Sequence, residues 1–209
     1  MFLPFPDIEQ FHQVMKTVRV YPQYGTKPAT YRGKVKLHGT NAAVQIRYDN
    51  RVLAQSRSSI ISIGNDNAGF AAWVEAKKDL WLTKAMDKTV TIFGEWAGPG
   101  IQKGVAVNQI PRKSFFVFAV FVGNTVDETE VILEPDEIAK YLPEGLDDVY
   151  VLPWATEQYF IDWNDEEAIK KELDAINEMV VKIDENDHYI EGLFGVKGHG
   201  EGYVFYPDI

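Results

Sequence analysis

Residues 34–41 have the sequence Lys34-Val35-Lys36-Leu37-His38-Gly39-Thr40-Asn41. Apolar and polar residues alternate before the Gly-Thr-Asn turn, and the alternation resumes over residues 43–48. The pattern predicts a strand, a turn and a second strand. Because glycine allows backbone conformations that other residues resist, a lysine just before this turn can be directed into a pocket.

Lys36 is the lysine of this Lys-x-x-Gly motif. In a phosphate pocket, a lysine that has lost its proton can act as a nucleophile and form a covalent intermediate. The simpler interpretation is an exposed lysine on the edge of a hairpin. The short motif alone does not decide between the two.

The composition is that of one globular domain. The chain has 209 residues, 45% of them hydrophobic, which is enough to bury a core. There are no cysteines, which excludes disulfides and cysteine-ligated metals. The first residues lack the basic region of a signal peptide, and no long apolar span follows, so we expect a cytoplasmic protein without a membrane partner.

The charge is divided unevenly along the chain. Residues 1–124 carry 16 Lys and Arg against 8 Asp and Glu, whereas residues 125–209 carry 5 against 23. The acidic part is interpreted mainly as solvated helix surface. The basic part favours an anionic ligand despite the overall net charge of -10.

Periodicity predicts a mixture of helices and strands. Helical spacing is found at residues 7–18, from a cap at Asn65 or Asp66 to about residue 86, at 135–141 and at 165–183. Strand patterns are found at residues 51–58, 89–96, 114–122, 189–196 and 200–206, and residues 21–31 form a connector. The turn pair Asp49-Asn50 indicates that the strand at 51–58 pairs with the one before it. We therefore expect an α+β domain with mainly antiparallel sheets.

Five sequence elements then occur in a fixed order. They are Lys36-Leu37-His38-Gly39-Thr40-Asn41, Ser56-Arg57-Ser58, Phe93-Gly94-Glu95-Trp96-Ala97-Gly98-Pro99-Gly100-Ile101-Gln102, Phe116-Val117-Phe118 and Glu201-Gly202-Tyr203-Val204. Together they resemble the RNA ligase 2-like branch of the ATP-dependent polynucleotide ligases, in the covalent nucleotidyltransferase superfamily. The resemblance implies an adenylation domain of antiparallel sheets flanked by helices, ATP-grasp-like in its fold.

The resemblance also implies how the reacting end of the site works. Lys36 would attack the α-phosphate of ATP and keep AMP on its side-chain nitrogen. Asn41 would support the reacting end, and Glu201 would act beside a divalent metal. Carboxylates without histidine or cysteine clusters suit Mg²⁺ or Mn²⁺, which prefer oxygen ligands.

The remaining implied contacts hold the nucleoside. Arg57 would contact a phosphate or the sugar, Glu95 would accept hydrogen bonds from the ribose hydroxyls, and Phe118 would stack on adenine. Hydroxyl donors suit a carboxylate acceptor, and an aromatic ring suits the face of a base.

Several residues keep an alternative interpretation. Phe116 lies on the same strand face as Phe118 and competes with it for base stacking. Glu191-Gly192 competes with Glu201-Gly202 for the metal, although Tyr203-Val204 makes the second the better match. His38 stays unassigned.

The sequence departs from the family pattern at its C-terminal end. Ligases of this superfamily carry a Lys-x-Lys pair on the strand after Glu-Gly, followed by a C-terminal domain, whereas this sequence ends at Ile209. We therefore expect residues 1–209 to form a single adenylyltransferase domain without the last phosphate-binding strand. It would be either a shortened form of a longer protein or a natural short form.

The function implied by the resemblance is ATP-dependent RNA ligation. The domain would transfer AMP from Lys36 to an RNA 5′-phosphate and join that end to a 3′-hydroxyl, acting as a monomer on RNA ends or nicked RNA duplex in RNA repair. DNA ligases and capping-type guanylyltransferases usually have an acidic residue at the position of His38, which argues against them. A noncatalytic module that binds nucleotide or RNA is the alternative from another class.

Overall fold

The computed structural model describes residues 2–21, 27–125 and 127–208, so residues 22–26 of the predicted connector lie outside the described part. The strands are β1 Ala29–Lys36, β2 Thr40–Ile46, β3 Val52–Ser56, β4 Ile60–Ile61, β5 Val90–Ala97, β6 Ser114–Val122, β7 Glu130–Ile132, β8 Val149–Val151, β9 Gln158–Ile161 and β10 Gly202–Pro207. The helices are α1 Phe11–Val20, α2 Phe70–Ala76, α3 Lys78–Leu82, α4 Pro135–Ala139, α5 Glu166–Glu185 and α6 His188–Phe194, with a 3-10 turn at Ala106–Gln109.

Two sheets form the framework. The larger has the order β4-β3-β2-β5-β6-β7, with β8 also paired to β6, and the smaller has the order β10-β1-β9. The β6–β8 pair is parallel, and the other pairs of named strands are antiparallel. The expected α+β class with mainly antiparallel pairing is confirmed.

The turn after Lys36 connects the two sheets. β1 and β2 are the predicted strand, turn and strand, but β1 pairs with β9 and β10, whereas β2 pairs with β3 and β5. Among the described strand pairs, β1 and β2 do not pair with each other. Lys36 therefore lies where the chain crosses from one sheet to the other, and not on the edge of a hairpin.

The core between the sheets is rich in aromatic side chains. One cluster includes Val35 of β1, Phe93 of β5, Phe118 of β6 and Tyr206 of β10, so it takes residues from both sheets. All nine residues of β6 are buried, as its continuous apolar sequence predicts. β6 pairs with β5, β7 and β8, and it carries Phe116 and Phe118.

The region before β5 contains two short helices instead of the single helix predicted from residue 65 to about residue 86. The N-cap of α2 is Gly69 and not the predicted Asn65 or Asp66. The Asp66 carboxylate nevertheless accepts the backbone N–H groups of Ala71 and Ala72 in the first turn, at 2.7 and 3.0 Å. In α3, Trp81 is fully buried whereas Leu80 is 38% exposed.

The prediction of a strand at 189–196 is wrong, because this segment forms α6. The Asp187 carboxylate accepts the backbone N–H groups of Tyr189 and Ile190, both at 3.1 Å, and fixes the first turn. Gly195 ends the helix in the left-handed conformation. α1 begins at Phe11 and not at residue 7, and β4, β7, β8 and β9 lie where no strand was predicted.

The longest helix is amphipathic rather than apolar throughout. α5 begins at the Asp165 cap and buries Ile169, Ile176 and Ile183. Within the described ranges, we find no helix with both the length and the apolar character that a membrane crossing requires.

Candidate active site

Strand pairing brings the separate sequence motifs together. Lys36, the last residue of β1, lies opposite Gly202, the first residue of β10. Asn41 of β2 lies opposite Glu95 of β5, and Glu95 lies opposite Phe116 of β6. Four of the five motifs therefore meet around the crossing between the sheets.

The side chain of Lys36 points to the carboxylate of Glu201. Its Nζ donates to Glu201 Oε1 at 2.5 Å, and the other carboxylate oxygen lies 3.4 Å from Nδ1 of His38. The Lys36 side chain is 44% exposed and that of Glu201 is 28% exposed. The pair is thus accessible to a ligand while the backbone on either side is fixed by β1 and β10.

The backbone of Gly39 is held from both directions. Its N–H donates to Glu95 Oε1 at 3.1 Å, and its carbonyl accepts from Nε2 of Gln102 at 3.2 Å. A Cβ at this position would come within 2.8 Å of the Ala97 Cβ, which is closer than side chains pack. Only glycine fits, and the turn between Lys36 and β2 is therefore set by the loop that follows β5.

Glu95 is a partly buried carboxyl group that binds its proton more tightly than an exposed glutamate does. Burial raises its pKa to about 8, and the negative charge of Glu201 adds to this effect. The Gly39 N–H, Lys36 and Arg57 act in the opposite direction. In the ligand-free protein near neutral pH, Glu95 is largely protonated and can both donate and accept a hydrogen bond.

Arg57 lies at the outer side of the site. It follows β3, its side chain is 74% exposed, and its guanidinium pairs with Asp7 at 2.7 Å. Its charge lowers the pKa of Glu95, so the two groups interact electrostatically. An exposed ion pair of this kind contributes little to stability and leaves Arg57 available to an anion.

Phe118 occupies an irregular position in β6. The β5–β6 register shifts between Phe93 and Gly94, whose partners are Ala119 and Val117, and Phe118 is the residue passed over. A Cβ on Gly94 would lie 2.6 Å from the Phe116 carbonyl oxygen, so glycine is required at this bulge. The Phe118 ring is 7% exposed and makes a T-shaped contact with Phe5, with centroids 5.0 Å apart.

Phe116 shares the sheet face with Phe118, as the two-residue period predicts, but its surroundings differ. Its ring is fully buried and stacks on Tyr150, with centroids 5.3 Å apart. The rings of Tyr189 and Phe194 pack against it edge-on. These neighbours make Phe116 a core residue. Phe118 is buried in the same cluster, and its stacking on a base stays a prediction.

Glu191 is separate from this arrangement. It lies on α6, where it accepts from Nδ2 of Asn186 at 2.5 Å and pairs with Lys197 at 3.5 Å. The described ranges contain no cluster of three or more acidic or histidine side chains arranged for a metal. Glu201 still suits a Mg²⁺ or Mn²⁺ ion that takes its other ligands from phosphates and water, since one or two carboxylates are usual for such ions.

Three residues of the site received no specific role from the sequence. His38 contacts Glu201, Gln102 holds the Gly39 carbonyl, and Gly39 itself donates to Glu95. All three belong to the motifs that carried the resemblance. The motif spacing indicated that these residues belong to the site. Their partners depend on pairing between strands that are far apart in sequence.

Comparison with known proteins agrees with the fold. The chain is similar to the RNA ligase of Naegleria gruberi in several solved states. A variant with ATP and Mn gives a TM-score of 0.60 at 18% identity over 97% of this chain and 52% of that chain. A variant with AMP and Mn gives a TM-score of 0.61 at 18% identity, over 98% of this chain and 53% of that chain. The ligase with PPi gives a TM-score of 0.60 at 18% identity, over 98% of this chain and 52% of that chain.

This chain thus spans about half the length of those structures, and at this level of identity they establish the fold alone. The family model described as RNA ligase matches residues 29–208, from the start of β1 to beyond the end of β10. The motifs around Lys36 all lie within that match. The chain belongs to the RNA ligase family.

Proposed function

We propose that this chain is the adenylyltransferase domain of an ATP-dependent RNA ligase, with Lys36 as the nucleophile. The observation that carries the proposal is the position of Lys36 Nζ. It lies at the crossing between the two sheets and is held at 2.5 Å by Glu201, beside a glycine turn fixed by Glu95 and Gln102. An amine directed in this way, half exposed, is accessible to a phosphate.

The first step would join Lys36 to AMP. Nζ gives a proton to water and attacks the α-phosphorus of ATP, so that a P–N bond forms. The P–O bond to the β-phosphate breaks, and pyrophosphate leaves with the electron pair. Glu201 holds the amine in place before the attack, and His38 lies on the other carboxylate oxygen.

The nucleoside would be held by three side chains of the larger sheet and its loops. Glu95 can donate hydrogen bonds to the ribose hydroxyls and accept them, because its carboxyl group is protonated near neutral pH and already oriented by Gly39. Phe118 supplies an aromatic ring for adenine. Arg57 is exposed enough to turn from Asp7 to a phosphate.

Asn41 and Glu201 would complete the reacting end. Asn41 of β2 lies opposite Glu95 of β5, so their side chains lie on the same side of the sheet. Glu201 fits a Mg²⁺ or Mn²⁺ ion together with the phosphates of ATP. Such an ion, when bound, offsets negative charge on the phosphates and favours the neutral form of the neighbouring amine.

The later steps would act on RNA. An RNA 5′-phosphate oxygen attacks the phosphorus of lysyl-AMP, the P–N bond breaks and Lys36 is released. A 3′-hydroxyl then attacks the 5′-phosphorus, the strand is joined and AMP leaves. The excess of Lys and Arg in residues 1–124, which include Lys36 and Arg57, favours a polyanionic substrate at this face.

The test is intact mass spectrometry after incubation with ATP and magnesium, repeated with GTP. We expect a mass increase of one AMP with ATP alone, its loss in Lys36→Ala, and its retention in the control Lys77→Ala, whose lysine lies before α3. Circular dichroism verifies that Lys36→Ala is folded. An adduct that persists in Lys36→Ala, or none in the wild type with retained ATP binding, would refute the proposal in favour of a binding module.

A further inference from the structure

Lys34 is a buried lysine that the proposed reaction does not use. Its side chain has no exposed surface, and its Nζ donates to the backbone carbonyls of Phe118 at 2.8 Å and Leu133 at 2.6 Å. The Trp154 ring lies over it, with the centroid 4.6 Å from Nζ. Leu133 and Trp154 also line a surface groove of about 310 Å³, so they separate the amine from solvent.

The Phe118 carbonyl lies in a gap of the larger sheet. On the β5 side, the register shift leaves Phe118 without a partner, because Val117 and Ala119 pair with the consecutive residues Gly94 and Phe93. On the other side, β8 pairs with β6 only as far as Val117, and β7 begins at Val120. In the described pairings, Phe118 therefore has no opposite residue in either direction, and Lys34 supplies the donor that a strand would otherwise give.

A lysine at this position is costly, which indicates that its hydrogen bonds matter. Burial lowers the pKa of Lys34 to about 7, while the charge of Glu134 partly opposes the shift. An apolar side chain would fill the space without this cost but would leave two buried carbonyls without a donor. A neutral amine still has two N–H donors, so both carbonyls stay satisfied whether or not the lysine is protonated.

Lys34 also connects the two ends of the site. It lies two residues before Lys36 on β1, so both side chains point to the same face, roughly 7 Å apart along the strand. Lys36 reaches Glu201, where the phosphates would bind, and Lys34 reaches the backbone of Phe118. One strand thus sets the distance between the nucleophile and the aromatic ring.

We propose that Lys34 is a positioning residue for nucleobase binding: it fixes the backbone of Phe118 at the bulge and so orients the ring on which the base of ATP stacks. This rests on the proposed function, because it takes the bound base to be that of ATP. Lys34 does not touch the nucleotide. Its effect passes through Phe118 alone.

The test measures ATP affinity in the Lys36→Ala background, by calorimetry with MgATP, so that no covalent step contributes. We expect Lys34→Met to raise the Kd for ATP about tenfold, and Phe118→Ala to raise it by a similar factor. The double variant should bind no more weakly than Phe118→Ala alone. Lys77→Met is the control, since the Lys77 amine also lies over a tryptophan ring although its side chain is only partly buried, and it should leave the Kd unchanged.

Two outcomes would overturn the proposal. One is that folded Lys34→Met has an unchanged Kd for ATP. The other is that the double variant raises the Kd by the product of the two single effects. If Lys34→Met does not fold, Lys34→Gln decides, because its amide keeps donors and should give a Kd between those of the wild type and Phe118→Ala. Absence of an AMP adduct in the wild type, with these Kd changes present, would refute only the proposed function.

Discussion

Lys36 lies directly opposite Gly202 in the antiparallel pair of β1 and β10. This register places Glu201, the residue just before β10, beside the end of β1, and Nζ of Lys36 reaches it across 165 residues of sequence. The ion pair is therefore a consequence of strand pairing. A one-residue shift of β10 would move Glu201 away from the amine.

Glu201→Ala should reduce the rate of AMP labelling by about 100-fold or more, because the amine loses the group that holds it and the metal loses its carboxylate. Single-turnover labelling with ATP, followed by intact mass, measures the effect. Glu191→Ala is the matched control, since Glu191 is engaged with Asn186 and Lys197 on α6. Equal losses in the two variants would refute the assignment of Glu201.

The sequence predicts local features of this fold better than the relation between its sheets. The strands before and after Gly39 follow from alternation over a few residues, and β6 follows from its continuous apolar run. The assignment of β1 and β2 to different sheets depends on β9 and β10, which are more than 100 residues away. No local pattern contains that information.

The predicted strand at 189–196 and the burial of Lys34 show what local patterns leave out. Tyr189 to Phe194 has an apolar content suited to a strand, but Asp187 caps its first turn and Gly195 ends it, so a helix forms. Lys34 received no prediction from the sequence, and it is fully buried. In each case a hydrogen-bond partner outside the simple pattern decides the outcome.

Gly39→Ala should destabilise the domain by about 1–3 kcal/mol and abolish labelling. The added methyl group would collide with Ala97, and the turn would have to move away from Glu95 and Gln102. Urea unfolding and the labelling assay measure the two effects. Gly64→Ala, where a Cβ would contact nothing, should leave both nearly unchanged. Full activity in Gly39→Ala would show that the turn tolerates displacement.

Phe118→Ala should raise the KM for ATP in the labelling reaction by about 5- to 150-fold, the range expected from a stacking contribution of about 1–3 kcal/mol. Its maximal rate should change much less, since the proposed role of Phe118 is to bind the base and not to act on the reacting phosphate. Phe116→Ala should instead lower the free energy of unfolding by about 3–5 kcal/mol, because the ring is fully buried against Tyr150. The reverse pattern would assign base stacking to Phe116.

The stability of the ligand-free protein should depend on pH through Glu95 and Lys34, in opposite directions. Burial raises the pKa of Glu95 from 4.5 to about 8, so the folded state binds more protons than the unfolded state between these values. Its contribution to stability is therefore fully present below pH 4.5 and is lost as pH rises through 8. Glu201, Lys36 and Arg57 are the charged groups that modify this shift.

Lys34 makes the stability of the folded protein rise with pH. Burial lowers its pKa from 10.5 to about 7, so the unfolded state binds more protons between these values, and stability increases with pH over that range. Each group changes the slope by at most about 1.4 kcal/mol per pH unit. The two together predict a minimum in their combined contribution between about pH 7 and 8.

Urea unfolding from pH 5 to 10 tests this minimum. Glu95→Gln should reduce the fall in the free energy of unfolding below pH 8 and leave the rise above pH 7 unchanged. Lys34→Met should reduce that rise and leave the fall unchanged. Gly64→Ala changes no titrating group, so its curve should run parallel to that of the wild type. If Glu95→Gln leaves the slope between pH 5 and 8 unchanged, Glu95 is ionised in the free protein, and the ribose hydroxyls would then meet a carboxylate that can only accept hydrogen bonds.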